Sequence, residues 1–468
     1  MNAMIGLEMH VKLATATKLF CSDSNDYENA EPNTKVCPIC MGFPGSKPSL
    51  NAKAVELATT AALALNCRVN DSMSFSRKTY FYPDLAKNFQ ITQYEKPIAE
   101  AGSIEINGKK IRIRRIQIEE DPAKTIHVGG SINNAKYVNL DYNRSGTPLI
   151  EIVTEPDIGS GNEARKVVEE VAVMLDHIGV FRKGADASMR VDVNVSVDGG
   201  KRVEIKNVTG AMNVERAALF EIARQRQHVA NGIEVKMETR HFDEISKLTV
   251  SIRSKETEED YGYIFEPDLA IYGIDSKLIE SVKPKLDQLP SRRITALVNN
   301  YSIDEGIARV IVYEGKAFTE FYEKCCESFG SPDYVAKWCV GDLKKCLNWN
   351  STSIESSKVS PEGLIELLSM VKKRNITERL AKELIKEYAS SGVSPRKLAA
   401  AMSGTKIGDK EIKLIIDAVI KENNKAFDDF AAGNDSALSF LVGKALQKTS
   451  NAIDPKLAIK LFKARVAQ

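Results

Sequence analysis

The chain has 468 residues, of which 43% are hydrophobic, and its 65 basic residues nearly balance its 63 acidic ones, giving a net charge of +2. This length predicts roughly three domains, and the small net charge excludes a protein that binds nucleic acid through its overall charge, so such contacts must come from local patches. We expect a cytoplasmic protein with reduced thiols, because the sequence shows no secretory leader, no apolar run of membrane-spanning length and no disulfide framework among its eight cysteines.

The first predicted element is a β-strand in "IGLEMHVKL", residues 5–13. Apolar Leu7, Met9 and Val11 alternate with polar Glu8 and His10, a period typical of a strand with one buried face. The polar face is either an ordinary solvated face or part of a functional site. The strand alone does not distinguish these two interpretations.

A cysteine motif follows in "KVCPICMG", where Cys37 and Cys40 form a CxxC knuckle and Cys21 lies upstream. Such a knuckle is a common half of a structural zinc site, because zinc prefers thiolate ligands. Since only three cysteines are in range, Asp23 or a more distant group would have to supply the fourth ligand. The alternative is that the site holds no metal.

The next predicted element is a β-hairpin around Asn107-Gly108, a strong turn signal between two alternating runs. At the end of its second strand, in "RIQIEED", alternation places Glu120 on the same side of the strand as Ile116 and Ile118, and Glu119 on the other side. A carboxylate on an apolar face must be paired, protonated or bound to metal. Alternatively, the strand ends early and Glu120 reaches water.

Further carboxylates follow in "TPLIEIVTEPD", where Glu151 lies between two isoleucines. One imidazole and several carboxylates on sheet elements suit Mg²⁺, which prefers oxygen ligands and substrate phosphates. A second predicted ribbon, "MRVDVNVSVDGGKRVEIKNV", and two helical segments beside it complete an α+β region with an antiparallel sheet.

From about residue 288 the spacing becomes helical, as in "NITERLAKELIKEYASSG", where Asn375 and Glu378 are predicted to cap a helix that ends before Gly392. A break near "MSGTKIGDKE" separates a C-terminal segment, whose last 33 residues contain six basic residues against one acidic residue, Asp454. We therefore predict three domains, 1–287, 288–402 and 403–468.

Several long ordered segments resemble the B subunit of bacterial and archaeal glutamyl/aspartyl-tRNA amidotransferase from end to end. They include "IGLEMHVKL", "AEPNTKVCPICMGFPGSKPSLN", "RKTYFYPDLAKNFQITQ", "IEEDPAKTIH", "DYNRSGTPLIEIVTEPDI", "ETRHFDE" and "ALSFLVGKAL". The resemblance implies a cradle-shaped catalytic domain akin to glutamine synthetase, a helical domain and a small helical tail similar to the YqeY family.

The same resemblance implies a two-step reaction in which ATP phosphorylates the side-chain carboxylate of Glu-tRNA(Gln) or Asp-tRNA(Asn), and ammonia then displaces the phosphate. It implies a catalytic group of Glu8, His10, Glu120 and Glu151, in which His10, Glu120 and Glu151 hold Mg²⁺. Many relatives have a cysteine where this sequence has Asp23, so zinc binding by Cys21, Cys37 and Cys40 stays an open alternative.

Matching segments also imply a nucleotide and acyl-phosphate pocket formed by Arg77, Lys78, Arg190, Asp192, Asn194, Glu204 and Lys206. The implied partners are an amidase-type A subunit, which supplies the ammonia, and a small C subunit. In the tail, the resemblance implies that tRNA binds to a set of five lysines, Lys444, Lys448, Lys456, Lys460 and Lys463.

Two other classes of function are consistent with parts of the sequence. The basic tail alone would suit a non-catalytic tRNA-binding module, which needs no organised carboxylate cluster. The carboxylates alone would suit a stand-alone ATP-dependent ligase that uses free ammonia. Activity on mischarged tRNA with glutamine and the partner proteins distinguishes all three.

Overall fold

A computed structural model describes residues 1–129, 135–182, 188–254, 261–402, 409–448 and 455–466. The chain divides into two compact units, Met1–Leu297 with Val312–Lys316 and Val298–Ile311 with Ala317–Gln468. The three-domain boundaries given above stay a prediction. Within the described ranges, no helix combines the length and the apolar composition needed to cross a membrane.

The described residues form sixteen strands. In chain order they are β1 (Ala3–Lys12), β2 (Arg68–Val69), β3 (Ser72–Met73), β4 (Ser76–Thr79), β5 (Phe89–Thr92), β6 (Ala99–Ile106), β7 (Lys109–Glu120), β8 (Lys124–Val128), β9 (Tyr137–Asp141), β10 (Pro148–Thr154), β11 (Met189–Val197), β12 (Val203–Thr209), β13 (Glu238–Asp243), β14 (Leu248–Ser254), β15 (Ile264–Phe265) and β16 (Tyr272–Gly273).

The largest sheet has nine strands in the order β14-β13-β12-β11-β1-β10-β7-β6-β2, so the first strand of the chain lies in its middle. The three small sheets are β15-β4-β5, β16-β3 and β8-β9. The prediction of an antiparallel sheet holds except for one pair, β12 and β13, which run parallel. Helix α3 (Ala211–Ala230) connects these two strands, as a parallel connection requires a crossover.

Both predicted hairpins are confirmed. Strands β6 and β7 pair around Asn107 and Gly108, whose φ values of 52° and 78° are those of a tight hairpin turn. Strands β11 and β12 pair in the second ribbon, and its valines are buried on one face. The alternation of apolar and polar residues therefore determined these local elements.

The remaining α-helices of the described residues are α1 (Ala52–Ala64), α2 (Gly161–His177), α4 (Ser276–Val282), α5 (Pro290–Tyr301), α6 (Glu305–Glu314), α7 (Lys316–Phe329), α8 (Pro332–Trp338), α9 (Lys344–Trp349), α10 (Pro361–Lys372), α11 (Glu378–Ser391), α12 (Pro395–Met402), α13 (Asp409–Glu422), α14 (Asn424–Ala431), α15 (Asp435–Lys448) and α16 (Pro455–Val466). Short 3₁₀ turns form at Tyr142–Arg144 and Lys283–Gln288, and a π-helical turn forms at Cys339–Leu343.

The core of the first unit lies between the large sheet and helices α1, α2 and α3. The apolar residues of β1, including Leu7, Met9 and Val11, are completely buried there. Because side chains alternate along a strand, Glu8 and His10 are presented on the other face of the sheet. The packing of three helices on one face thus leaves the opposite face for polar groups.

The second unit is helical, as predicted. Helix α11 buries Ala381, Leu384 and Ile385, but its N-cap is Thr377, whose hydroxyl accepts a hydrogen bond from the Leu380 N–H, and not the predicted Asn375. Gly392 ends the helix with a φ of 74°, as predicted. A separate hydrophobic cluster of α13, α15 and α16 surrounds Phe462.

Candidate active site

Polar side chains of five neighbouring strands converge on the face of the large sheet opposite the helices. On β1, His10 pairs with Glu151 of β10 on one side and Arg190 of β11 on the other, while Glu8 pairs with Asp192. Directly opposed residues in antiparallel strands carry their side chains on the same face. The register of the central strand therefore brings together groups that lie up to 184 residues apart in the chain.

The first group of metal-type ligands consists of His10, Glu119 and Glu151, whose ligand atoms all lie within 4.8 Å of one another. The Nε2 atom of His10 is 3.4 Å from Oε1 of Glu119, and the Thr92 hydroxyl donates a hydrogen bond to the other oxygen of Glu119 at 3.2 Å. One imidazole and two carboxylates form a donor set for a divalent cation such as Mg²⁺.

The electrostatics of this group also fit a cation. Burial raises the pKa of Glu151, and the neighbouring Glu119 carboxylate raises it further. Burial alone would lower the pKa of His10, but the carboxylates of Glu119, Glu151 and Asp192 reverse this effect and raise it. The contributions of the neighbouring carboxylates to both shifts reflect a concentration of negative charge that a bound divalent cation would neutralise.

The structure places Glu119, and not the predicted Glu120, beside His10 and Glu151, while metal binding by these residues stays a prediction. Glu120 lies on the apolar side of β7, where it accepts a hydrogen bond from the Ile91 N–H at 2.9 Å and pairs with Lys87. The sequence correctly predicted that the Glu120 carboxylate, on the apolar side of the strand, needs a partner. The partner is a lysine ammonium, because side chains alternate and only Glu119 faces His10.

A second group contains Glu8, Asp192 and Glu204, again with one oxygen of each within 4.8 Å of the others. Burial raises the pKa of Glu8, and the carboxylates of Glu151, Asp192 and Glu204 raise it further. Although burial opposes ionisation of Asp192, Lys206 and His10 lower its pKa to about 2. The ammonium of Lys206 lies 3.0 Å from Asp192 and 3.6 Å from Glu204.

Both groups open onto a cavity of about 350 Å³. Four of the seven residues predicted for the nucleotide pocket line it, namely Lys78, Arg190, Asp192 and Lys206. Asn194 supports the second group by donating a hydrogen bond to Glu8 at 3.0 Å, and Glu204 belongs to that group.

Arg77 is the member of the predicted pocket that the structure places elsewhere. Its guanidinium forms two hydrogen bonds with Glu266, at 2.7 and 2.9 Å, and stacks over Phe89. Arg77 and Lys78 are adjacent on β4, so their side chains point to opposite sides of the strand, and only Lys78 faces the cavity. Arg77 instead lines a separate cavity.

Several cavity residues were missed from the sequence. Asp121 accepts a hydrogen bond from Arg190 at 2.6 Å and lies 3.6 Å from Arg144, so it fixes the orientation of a cavity arginine. The rings of Tyr80 and Tyr261 line the cavity wall, and the ammonium of Lys78 lies 4.5 Å from the centre of the Tyr261 ring. The position of Glu119 could have been predicted, because the alternation of side chains along β7 places it on the face opposite the apolar residues.

The cysteine motif forms a third group, in which Cys21, Asp23, Cys37 and Cys40 bring one ligand atom each within 4.8 Å of the others. Hydrogen bonding from Cys21, together with the Cys37 N–H and the fully buried Lys18, lowers the pKa of the Cys40 thiol to about 6. The sulfur of Cys40 lies 3.4 Å from the Asp23 carboxylate. Three sulfurs and one carboxylate fit a tetrahedral zinc site.

The five predicted tRNA-binding lysines lie in the second unit. Lys456, Lys460 and Lys463 are exposed on α16, whereas Lys448 pairs with Glu422 and Lys444 lies over the Phe440 ring on α15. On the opposite side of α16, Ala458 and Phe462 are buried in the small core and Leu461 packs against it, whereas Leu457 is 37% exposed.

Comparison with known proteins places these sites in context. Residues 3–280 match the sequence profile of the GatB/GatE catalytic domain, and residues 320–466 match that of the GatB domain. The B subunit of aspartyl/glutamyl-tRNA(Asn/Gln) amidotransferase from Saccharolobus solfataricus is 43% identical over 468 residues, covering 99% of both chains. The proteins of the same name from Methanococcoides burtonii and Thermotoga maritima are 39% and 38% identical and cover at least 98% of each chain.

Proposed function

This chain belongs to the family of aspartyl/glutamyl-tRNA(Asn/Gln) amidotransferase B subunits, and from that premise we propose that its cavity activates and amidates the side-chain carboxylate of Glu-tRNA(Gln), Asp-tRNA(Asn) or both. The observation that carries the proposal is the convergence of His10, Glu119 and Glu151 beside the cationic cavity residues Lys78 and Arg190. Carboxylates that hold a divalent cation next to basic side chains are typical of sites that transfer phosphoryl groups.

The reaction has two steps. First, an oxygen of the side-chain carboxylate attacks the γ-phosphorus of ATP, the bond to the bridging oxygen breaks, and ADP leaves. Next, ammonia attacks the acyl carbon, the bond from that carbon to the phosphorylated oxygen breaks, and inorganic phosphate leaves while the new nitrogen loses a proton. The first step is needed because a carboxylate has no leaving group for ammonia to displace.

His10, Glu119 and Glu151 would hold Mg²⁺ in this scheme. When bound, Mg²⁺ neutralises phosphate charge and helps to align the transfer. Arg190 supplies a further positive charge, and its hydrogen bond to Asp121 fixes its direction before substrate arrives. Lys78, on β4, adds a third positive charge to the cavity. Such preorganised charges stabilise the spreading negative charge of a transferred phosphoryl group.

The ammonia and the substrate come from partners. The relatives are by name one component of a multi-subunit amidotransferase, and for this chain we propose an amidase-type A subunit that hydrolyses glutamine and a small C subunit. The exposed lysines of α16 would contact the tRNA backbone. Because aminoacyl-tRNA is the substrate, we place the reaction in the cytoplasm.

Two finer features belong to the same proposal. The large sheet with its polar face would form the cradle of a glutamine-synthetase-like catalytic domain, and the small core around Phe462 would be that of a YqeY-like tail. The group of Cys21, Asp23, Cys37 and Cys40 would bind structural zinc, since three thiols and one carboxylate match the donor types and the four ligands of such a site.

The test is amide formation by the assembled complex with purified mischarged tRNA, ATP, Mg²⁺ and glutamine. We expect ADP and amidated aminoacyl-tRNA in equal amounts, and no amide without ATP. Tight tRNA binding without ATP turnover would instead indicate a tRNA-binding module, and activity of the isolated chain on free amino acid and ammonia would indicate a stand-alone ligase. Assays with Glu-tRNA(Gln) and Asp-tRNA(Asn) separately establish the substrate.

A further inference from the structure

We propose that the hydroxyl group of Thr92 makes Glu119 a one-oxygen ligand and thereby selects Mg²⁺ over Ca²⁺ at the group of His10, Glu119 and Glu151. The inference rests on the proposed function in taking this group as the site of the catalytic cation. It adds a residue outside the group that acts on the cation only through Glu119. Thr92 is therefore a positioning residue.

The two carboxylate oxygens of Glu119 have different neighbours. Oε1 lies 3.4 Å from Nε2 of His10, so it faces the other members of the group. Oε2 accepts a hydrogen bond from the Thr92 hydroxyl at 3.2 Å. Because Glu119 and Thr92 are only 4% and 2% exposed, water has little access to this hydrogen bond. Glu119 thus presents one oxygen to the group while a protein donor holds the other.

The position of the Thr92 hydroxyl is fixed by the contacts of strand β5 with the end of β7. The Ile91 N–H donates a hydrogen bond to the Glu120 carboxylate at 2.9 Å, and the side-chain oxygen of Gln93 accepts one from the Ile118 N–H at 3.0 Å. Both neighbours of Thr92 in the chain are therefore bonded to β7. Threonine is also stiff about χ1, because it is branched at Cβ. The donor is in place before a cation binds.

Mg²⁺ and Ca²⁺ use carboxylates differently. Mg²⁺ is small, requires near-ideal octahedral geometry and keeps several water ligands beside one or two carboxylates. Ca²⁺ accepts about six to eight oxygens in flexible geometry and binds a carboxylate through one or both of its oxygens. The two oxygens of one carboxylate lie too close together for octahedral angles, so a carboxylate limited to one oxygen suits Mg²⁺.

Removing the Thr92 hydroxyl should therefore favour Ca²⁺ relative to Mg²⁺. Without this donor, Oε2 of Glu119 is free to join Oε1 as a second ligand atom, which gives Ca²⁺ an additional oxygen. Mg²⁺ gains nothing from that oxygen and loses a ligand whose direction was set in advance.

The experiment measures Mn²⁺ binding to the full chain by electron paramagnetic resonance, without ATP, and displaces the bound Mn²⁺ with Mg²⁺ or Ca²⁺. Mn²⁺ is a suitable probe because all three ions prefer oxygen ligands. We expect Thr92→Val to lower the ratio of Mg²⁺ to Ca²⁺ affinity about tenfold, since residues that orient metal ligands change affinity by about 10- to 100-fold. Thr92→Ser, which keeps the hydroxyl, should retain the wild-type ratio.

Thr59→Val is the matched control. Thr59 is fully buried on α1, on the helical side of the sheet, and its hydroxyl donates a hydrogen bond to the Val55 carbonyl oxygen at 2.8 Å. The same substitution there removes a buried hydroxyl far from Glu119, so the ratio should not change. Thr92→Ala also removes the hydroxyl and provides the measurement where Thr92→Val does not fold.

Three results would overturn the inference: an unchanged ratio in folded Thr92→Val or Thr92→Ala, the same fall in Thr92→Ser, or the same fall in Thr59→Val. His10→Ala separates this inference from the proposed function. Loss of Mn²⁺ binding in His10→Ala with an unchanged ratio in Thr92→Val contradicts this inference alone, whereas undiminished Mn²⁺ binding in His10→Ala contradicts the metal assignment on which both depend. Since no binding measurement involves turnover, the expected ratios in a chain whose complex forms no amide contradict the proposed reaction alone.

Discussion

Glu119 and Glu120 are neighbours in the chain, yet Glu119 lies beside His10 in the cavity and Glu120 pairs with Lys87 on the other side of the strand. The same substitution at these two positions should therefore have different consequences. Glu119→Gln should lower Mn²⁺ affinity at least about 100-fold, since even residues that only orient ligands change metal affinity by about 10- to 100-fold. Glu120→Gln should leave it nearly unchanged.

The activity assay extends this comparison. In the assembled complex, His10→Ala and Glu119→Gln should abolish ATP-dependent amide formation while glutamine hydrolysis by the partner continues, because only the activating step needs the cation. Amide formation near the wild-type rate in Glu119→Gln at saturating Mg²⁺ would refute the ligand assignment.

Glu120→Gln should instead act on stability. Glu120 and Lys87 are both nearly buried, and removing one charge leaves the other without its partner. We expect a loss of about 3 kcal/mol in the free energy of unfolding, measured by urea denaturation. The double variant Lys87→Met with Glu120→Gln should recover part of this loss, and an equal or larger loss in the double variant would count against the ion pair as the cause.

The cysteine group should matter for stability more than for catalysis. Replacing Cys37 and Cys40 with Ser should lower the melting temperature more than it lowers the turnover of the protein that stays folded. Elemental analysis should find one zinc ion per chain, and zinc-free protein would exclude a zinc site. Asp23→Cys should slow zinc release to a chelator, because it exchanges a carboxylate for a thiolate that zinc prefers.

The exposed lysines of α16 should contribute affinity for tRNA. Changing Lys456, Lys460 and Lys463 to Gln should raise the Michaelis constant for mischarged tRNA. It should also reduce the salt dependence of binding by about two to three counterions, since each phosphate contact releases roughly 0.7 of one on a single strand and about 0.9 on a duplex. Lys448→Gln, at a lysine on α15 whose ammonium pairs with Glu422, gives the comparison for the loss of one positive charge from the same unit. Deleting residues 403–468 should have a larger effect but spare glutaminase activity.

His177 should make the stability of the first unit depend on pH. Its Nε2 atom lies 2.9 Å from the Val312 carbonyl oxygen, and burial lowers the pKa of the imidazole. The unfolded chain therefore binds a proton near pH 6.5 that the folded protein does not, and the free energy of unfolding falls by up to about 1.4 kcal/mol per pH unit as the pH drops below that value. Urea denaturation at pH 7.5 and pH 5.5 should show a smaller difference for His177→Gln.

The sequence predicted the faces of individual strands better than the partners across them. Alternation identified the buried side of β1 and the turns of both hairpins, because these features depend on residues near each other in the chain. Alternation along β7 separates Glu119 from Glu120, but that Glu119 lies beside His10 depends on the register of β7 against β10. The pairing of Glu120 with Lys87, which lies just before β5, depends on a contact distant in the chain. The predicted cap at Asn375 failed for a local reason, since Thr377 offers a hydroxyl closer to the first turn.

The sheet order has a consequence for synthesis on the ribosome. Strand β1 is made first, but its neighbours β10 (Pro148–Thr154) and β11 (Met189–Val197) follow much later. At about 5 to 20 residues per second, the nascent chain carries an unpaired apolar strand for roughly 10 to 35 seconds before both neighbours exist. During that interval, Leu7, Met9 and Val11 form a segment for chaperones to protect. The group of Glu8, Asp192 and Glu204 cannot assemble until β11 and β12 have emerged.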